Sequence, residues 1–195
     1  VGDQLDLPME LKEVLRQASI QPDREGDKAI IKDERGLLHR PRIRHHRATK
    51  RFIRGMLWKA RIAQLEGREE DAMWCLGRAL HYIQDRSLSV GLFGWLHDQR
   101  ERDIGRKSVF LEAIQLGERA AVPSPLFVDL CLRSLSPKRS ASSAMHQACM
   151  LSSAMAFAVL SDPYPDRRRT IELERSEWRY ARLFLPLSMA AAMLV

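Results

Sequence analysis

Apolar residues recur along most of this chain with the spacing of an α-helix, and this periodicity limits the folds open to it. Residues 9–19 place Leu11, Val14, Leu15 and Ala18 on one helical face, and similar stripes recur in most later segments. Almost no segment alternates apolar and polar residues between turn residues, so little of the chain suits a sheet. The pattern therefore predicts an all-α protein.

The periodic segments predict seven helices joined by short links. They cover about residues 9–19, 46–66, 69–86, 95–119, 125–135, 140–160 and the chain from about 170. Pro22 and Gly26 are expected to end the first helix and to open a charged loop over residues 21–44. Pro186 is expected to kink the last helix. Such an arrangement is typical of a helix bundle.

Length and charge bound the domain count and the class of partner. A chain of 195 residues, 45% of them hydrophobic, suits one domain with its own core. We therefore expect a single all-α domain over residues 1–195, with the site motifs within 9–105 and a helical remainder over 106–195. The formal net charge of +7 favours anionic partners such as phosphates, nucleic acid or acidic lipid headgroups.

The cysteines and the hydropathy predict a cytoplasmic protein. Cys75, Cys131 and Cys149 are widely spaced and odd in number, which fits neither a disulfide framework nor a Cys-x-x-Cys zinc site. No secretory leader is visible, and no apolar run reaches the roughly 18–20 residues of a membrane span. The nearest candidate, "LFLPLSMAAAMLV", is expected to be a buried helix, so no transmembrane segment is predicted.

Two histidines each precede a carboxylate by four residues, His81 before Asp85 and His97 before Glu101. Residues i and i+4 lie one above the other on a helix, so an imidazole and a carboxylate at this spacing can close on one metal ion. Zinc accepts both donor types. Solvated helices also carry such pairs by chance, so the spacing alone leaves a metal site and a coincidence as alternatives.

The stretch "LGRALHYIQDRS", followed by "LHDQRE", resembles the core motif of the zinc-dependent phospholipase C family and its single-strand nuclease relatives. In that family a helix reading Leu-His-Tyr/Phe-x-x-Asp precedes a helix with His-x-x-x-acid. The upstream Pro22–Asp23 and "RHHRATKRF" also look similar. The resemblance covers roughly residues 9–105. It implies an all-α bundle and a metal-dependent phosphoester hydrolase, in which a zinc-bound hydroxide attacks a phosphodiester.

The resemblance also implies roles for the two His-acid pairs. His81 and Asp85 look like ligands of paired metals, with Asp85 as the bridge. His97 and Glu101 look like ligands of the second metal.

The upstream ligands implied by the resemblance are less determined. Asp23 and one of His45 or His46 would complete the first metal site, and His46 is favoured. Asp33 is an alternative to Asp23. Asp23 and Asp85 are the two residues expected to act in catalysis as well as in metal binding.

The chain departs from the family pattern at one ligand. Relatives have a histidine six residues after the helix aspartate, where this chain has Gly91, and no histidine lies between residues 81 and 97. Relatives also use an early histidine for a third metal, and none precedes His39 here. We therefore expect one or two zinc ions, with manganese or iron as alternatives.

The expected substrate is a phosphate-containing anion, whether a lipid, a nucleotide or a nucleic acid. Arg44, Arg47 and Arg78 could bind its phosphate oxygens, although each also suits a solvated basic face. Trp58 and Trp74 are expected to pack the helices around the site rather than to stack on substrate.

Three alternatives stay open. The first is a non-catalytic relative whose metal links the helices of the bundle. Its basic surface would bind a nucleic acid or protein partner. The second is a basic helical adaptor without metal. The third concerns assembly, because the Ser- and Ala-rich helix near residues 140–160 could serve self-association as a homo-oligomer.

Overall fold

The computed structural model describes residues 5–25, 27–28, 31–32, 38–39, 48–88, 109–161 and 167–183. Within these residues the chain forms α1 (Met9–Arg24), β1 (Ile31–Lys32), β2 (Leu38–His39), α2 (Lys50–Leu65), α3 (Glu69–Ser87), α4 (Leu111–Ala120), α5 (Pro125–Ser134), α6 (Ala141–Leu160) and α7 (Arg167–Leu183). The two strands pair antiparallel over two residues each. The prediction of an all-α protein is confirmed.

The predicted helix bounds agree best where a helix has clear end signals. Helices α3, α5 and α6 begin and end within one residue of the predicted bounds. Ser124 and Ser140 cap α5 and α6 through their side chains, as Ser does at many helix N-termini. The predicted helix over 95–119 falls partly outside the described residues, and α4 is its described part. Pro186 also lies outside them.

The predicted end of the first helix was wrong. Helix α1 continues through Pro22 to Arg24, and the N–H group of Glu25 donates to the carbonyl of Gln21 at 3.0 Å. Proline removes one helical hydrogen bond and usually ends a helix. Here Pro22 is buried together with Leu15 and Ala18, on one face of α1. Burial of that face offsets the missing hydrogen bond, so tertiary packing overrides the local signal.

Helix α3 forms the centre of the core. It packs against α1, α2 and α6, and for that reason its apolar side chains are buried on more than one face. The side chains of α3 in the main core, all below a tenth exposed, are Ala72, Met73, Leu76, Ala79, Leu80, Tyr82 and Ile83. A helix surrounded in this way holds its polar side chains in fixed positions as well.

Helices α1 and α3 approach closely because α3 carries a glycine at their contact. A Cβ atom on Gly77 would lie 2.5 Å from the carbonyl oxygen of Leu15 and 2.8 Å from Cβ of Ala18. Both distances are shorter than real Cβ contacts. The backbones can therefore reach this separation only with glycine on α3 and a small residue on α1.

Helix α6 is apolar enough to raise the question of a membrane span. Among the described helices it is the only one long and apolar enough to cross a membrane. However, 67% of its apolar window is buried inside the molecule. It packs against α3, α4, α2 and α5. Such burial is typical of a core helix, so α6 is weak evidence for a span.

A buried ion pair fixes α7 to α2 and α6. Arg61 on α2 donates to the Glu174 carboxylate at 2.8 and 2.9 Å, and both side chains are less than a tenth exposed. The same guanidinium donates to the carbonyls of Val159, at 3.0 Å, and Ser161 at the end of α6. Arg61 therefore satisfies carbonyls that the end of a helix leaves without partners.

The close contact between α1 and α3 predicts a strong effect of one added methyl group. Gly77→Ala should lower the free energy of unfolding by about 2 kcal/mol, because the backbone of α1 must move away. Gly55→Ala in α2 is the matched control, since no atom lies within 4 Å of its added Cβ and alanine favours a helix by up to about 1 kcal/mol. Urea unfolding followed by circular dichroism measures both. Equal effects of the two changes would contradict the packing argument.

The buried ion pair predicts a loss on removing one partner. Glu174→Gln should lower the free energy of unfolding by about 3 kcal/mol, because the Arg61 guanidinium stays buried without a counter-charge. Glu172→Gln, an exposed position on the same helix, should change stability by less than about 0.5 kcal/mol. Thermal unfolding of the two variants tests this. A Glu174→Gln protein as stable as its control would show that the pair contributes nothing.

Candidate metal centre

His81 lies at the contact between α1 and α3, with a carboxylate from each helix beside it. Its Nε2 atom is 3.2 Å from Oδ2 of Asp85, one turn later on α3, and 3.4 Å from Oδ1 of Asp23 on α1. The side chains of His81 and Asp85 are 10% and 12% exposed, whereas that of Asp23 is 51% exposed. The cluster is therefore buried on the α3 side and open to solvent at Asp23.

Local sequence explains why these groups meet. The i, i+4 spacing places Asp85 over His81 on one face of α3. Asp23 reaches them because α1 continues through Pro22 and stays close to α3 beyond Gly77. Had the helix ended at residue 19, nothing in the sequence would have fixed the position of Asp23.

The surroundings of His81 act on its pKa in opposite directions. Burial lowers that pKa, because a charged imidazolium is poorly solvated there. The nearby Asp85 carboxylate, the charge of Asp23 and the backbone of Ser19 raise it, and together they outweigh burial. The pKa of His81 is therefore raised above its usual value. Two carboxylates thus favour a positive charge at this point of the fold.

The two N···O separations also suit shared metal ligation. Zinc bonds of about 2.0–2.2 Å in a tetrahedral site place neighbouring ligand atoms about 3.3–3.6 Å apart, and the separations at His81 are 3.2 and 3.4 Å. A metal ligand histidine commonly hydrogen-bonds a backbone carbonyl through its other nitrogen, and His81 hydrogen-bonds the backbone of Ser19. The donor types suit a divalent metal, and the two separations are close to those between neighbouring ligands of one ion.

The described residues do not by themselves contain a complete metal site. Among them no group of three or more His, Cys, Asp or Glu side chains is arranged to hold an ion. His81 instead forms one close pair with Asp85 and another with Asp23. A complete site would need further ligands from the predicted set that lies outside the described residues.

The structure places four of the predicted site residues, and the rest fall outside the described part of the chain. Asp23, His81 and Asp85 are brought together, and Arg78 lies one turn before His81 on α3. The predicted residues outside the described ranges are Asp33, Arg44, His45, His46, Arg47, His97 and Glu101, together with Gly91. Their roles stay predictions.

A buried carboxylate beside this cluster was missed by sequence reasoning. Asp27 is 2% exposed. It accepts a hydrogen bond from the hydroxyl of Tyr82 at 2.7 Å and forms an ion pair with Arg78. Its position in a Pro- and Gly-rich stretch gave no periodic signal, and only the Tyr82 next to His81 hinted at a polar partner.

The Asp27 network also contacts the histidine, through Tyr82. The ring of Tyr82 contacts that of His81 edge to face, with centroids 5.4 Å apart. Burial raises the pKa of the Tyr82 hydroxyl to about 12, so it stays a hydrogen-bond donor to Asp27 at neutral pH. Arg78 is 26% exposed and already ion-paired with Asp27. Its predicted contact with a phosphate would have to be made in addition to this pair.

No protein-family model, curated protein or solved structure matches this chain. The family resemblance therefore rests on the sequence motif alone.

Removal of the Asp27 carboxylate should destabilise the protein. Asp27→Ala leaves the Tyr82 hydroxyl and Arg78 without their acceptor, which should lower the free energy of unfolding by about 2 kcal/mol. Glu13→Ala removes an exposed carboxylate that pairs with Arg16 on α1, and such surface pairs contribute little. Chemical unfolding at pH 7 compares the two. A loss no larger than that of the control would exclude a structural role for Asp27.

Proposed function

We propose that this protein is a metal-dependent phosphoester hydrolase in which Asp23, His81 and Asp85 help to bind a divalent metal, with zinc as the preferred ion. The observation that carries the proposal is the position of His81 Nε2 between carboxylates from two helices. We further propose that the helices follow the arrangement of the phospholipase C and nuclease family.

Charge supports a cation at this point. Asp23 and Asp85 contribute two negative charges, and a protonated His81 would contribute one positive charge. A divalent ion bound to a neutral imidazole would offset the charges of both carboxylates. The half-exposed Asp23 marks the side from which an ion and a substrate could enter.

The residues of the chain divide the work of hydrolysis. His81 and Asp85, both largely buried, would hold the ion in a fixed position. A divalent metal held there would supply Lewis acidity toward a phosphoryl oxygen and toward water. To the more exposed Asp23 carboxylate we assign the proton of an attacking water. Arg78 lies one turn before His81 on α3 and is ion-paired with Asp27. It could orient a phosphate oxygen.

The remaining ligands and the substrate class are part of the same proposal. His45 or His46 would complete the site with Asp23, and His97 with Glu101 would hold a second ion. Manganese or iron could replace zinc with these donors. The net charge of +7 favours a phosphate-containing anion as substrate.

A second candidate function is a non-catalytic metal-binding protein. The residue that favours it is Gly91, which occupies the place of a family ligand. With one ligand fewer, a single ion at His81 would tie α1 to α3 and stabilise the bundle without hydrolysing a substrate.

Metal content separates these proposals at the first step. Purified protein should contain one or two zinc ions per chain by plasma mass spectrometry, and a His81→Ala, Asp85→Ala variant should lose them, because two adjacent donors are removed. His146→Ala is the matched control, since His146 is an exposed histidine on α6. It should retain the metal. Protein without metal after zinc reconstitution at neutral pH would overturn both candidate functions.

Hydrolysis of bis(p-nitrophenyl) phosphate then distinguishes a hydrolase from a protein whose metal only stabilises the helix bundle. The zinc-loaded protein should hydrolyse it, and Asp23→Asn should lower kcat at least about 100-fold, with chelation abolishing the activity. Bound zinc without hydrolysis of this or other phosphodiesters would favour the non-catalytic candidate.

A further inference from the structure

A groove of about 430 Å³ lies between α2 and α3, and Arg175 of α7 is among its lining residues. Two half-buried tryptophans, Trp58 on α2 and Trp74 on α3, form part of its lining. We call it the tryptophan groove. Its volume falls within the range of about 300–1,000 Å³ that is usual for small-molecule sites.

The two tryptophans were expected to pack the helices around the site. They are half-buried and line the groove between α2 and α3. Indole rings that keep part of their surface accessible present a flat apolar face to a ligand. Planar aromatic rings, nucleobases above all, stack on such faces with little regard to base identity.

The remaining lining carries a surplus of positive charge. Lys59, Arg68 and Arg175 contribute three cations and Asp71 one anion. Arg68 also pairs with Glu66 and Asp71. We assign the phosphate contacts to the two lining cations that lie on helices, Lys59 on α2 and Arg175 on α7. Both are exposed, and both can reach an anion in solvent.

We propose that the tryptophan groove binds a nucleotide, with its base against Trp58 or Trp74 and its phosphate at Lys59 and Arg175. The shared chemistry is a planar base joined to a phosphate, which a free mononucleotide or a unit of a single strand can supply. The groove shares no residue with the candidate metal centre. Trp74 lies seven residues before His81 on α3, a separation of about 10 Å along the helix, and we assign no metal to this binding.

Calorimetric titration in EDTA tests the proposal with three probes: AMP, a ten-residue oligothymidylate and inorganic phosphate. EDTA removes any contribution from the metal centre, so this test can fail or succeed independently of the proposed hydrolase. AMP or the oligonucleotide should bind at least about tenfold more tightly than phosphate, because stacking adds to the ionic contact. Tight AMP binding identifies a free nucleotide as ligand, and oligonucleotide binding without AMP binding identifies a strand.

Variants assign the binding to the groove. Trp74→Leu and, separately, Lys59→Glu with Arg175→Glu should each weaken binding at least about tenfold. Arg119→Glu, at an exposed arginine on α4 outside the groove, is the charge control and should leave binding within about twofold. Circular dichroism shows whether each variant folds. If Trp74→Leu does not fold, the Lys59→Glu, Arg175→Glu variant still tests the proposal.

Three results would overturn the proposal. They are the absence of binding by AMP and by the oligonucleotide, phosphate binding as tight as that of AMP, and an equal loss in Arg119→Glu and in the Lys59 and Arg175 variant. An equal loss in the two charge variants would show that net charge alone attracts the ligand.

Discussion

The close contact between α1 and α3 is the constraint on which the candidate site depends. Gly77 allows the backbones to approach at Leu15 and Ala18, and the contact advances along both helices together, from Ala18 to Asp23 and from Gly77 to His81. The two helices therefore run in the same direction here. A wider separation would leave His81 with Asp85 alone, because the i, i+4 pair is local to α3 whereas Asp23 is supplied by packing.

Among the described residues, the buried charges of Arg61 and Asp27 have fixed partners. Arg61 meets Glu174 and two helix-terminal carbonyls, and Asp27 meets Arg78 and Tyr82. Burial raises the pKa of Glu174, although Arg61 opposes this. Ionised groups removed from water are costly without such partners. The His81 cluster differs in its composition, because carboxylates from two helices lie within 3.4 Å of one imidazole nitrogen.

The sequence predicted the helices with strong periodicity and clear caps, and failed where packing decided the outcome. Local rules end α1 at Pro22, but that residue is buried against the rest of the protein, a fact that no window of sequence contains. The pairing of His81 with Asp85 follows from spacing on one helix. The approach of Asp23 follows from a helix crossing, and Asp27 lies in a stretch without periodicity, so neither its burial nor its partners could be predicted.

One face of α3 carries a polar stripe through a largely buried helix. Asp71, Trp74, Arg78, His81 and Asp85 follow one another at spacings of three and four residues, and so lie along one side. A central helix needed only for packing would be stabilised by apolar residues there, since each polar group must find a partner when buried. Tyr82 and Asp27 supply such partners for one segment of the stripe. The tryptophan groove borders one end of it and the His81 cluster the other, so the residues least suited to a packed helix coincide with the two regions where a ligand could bind.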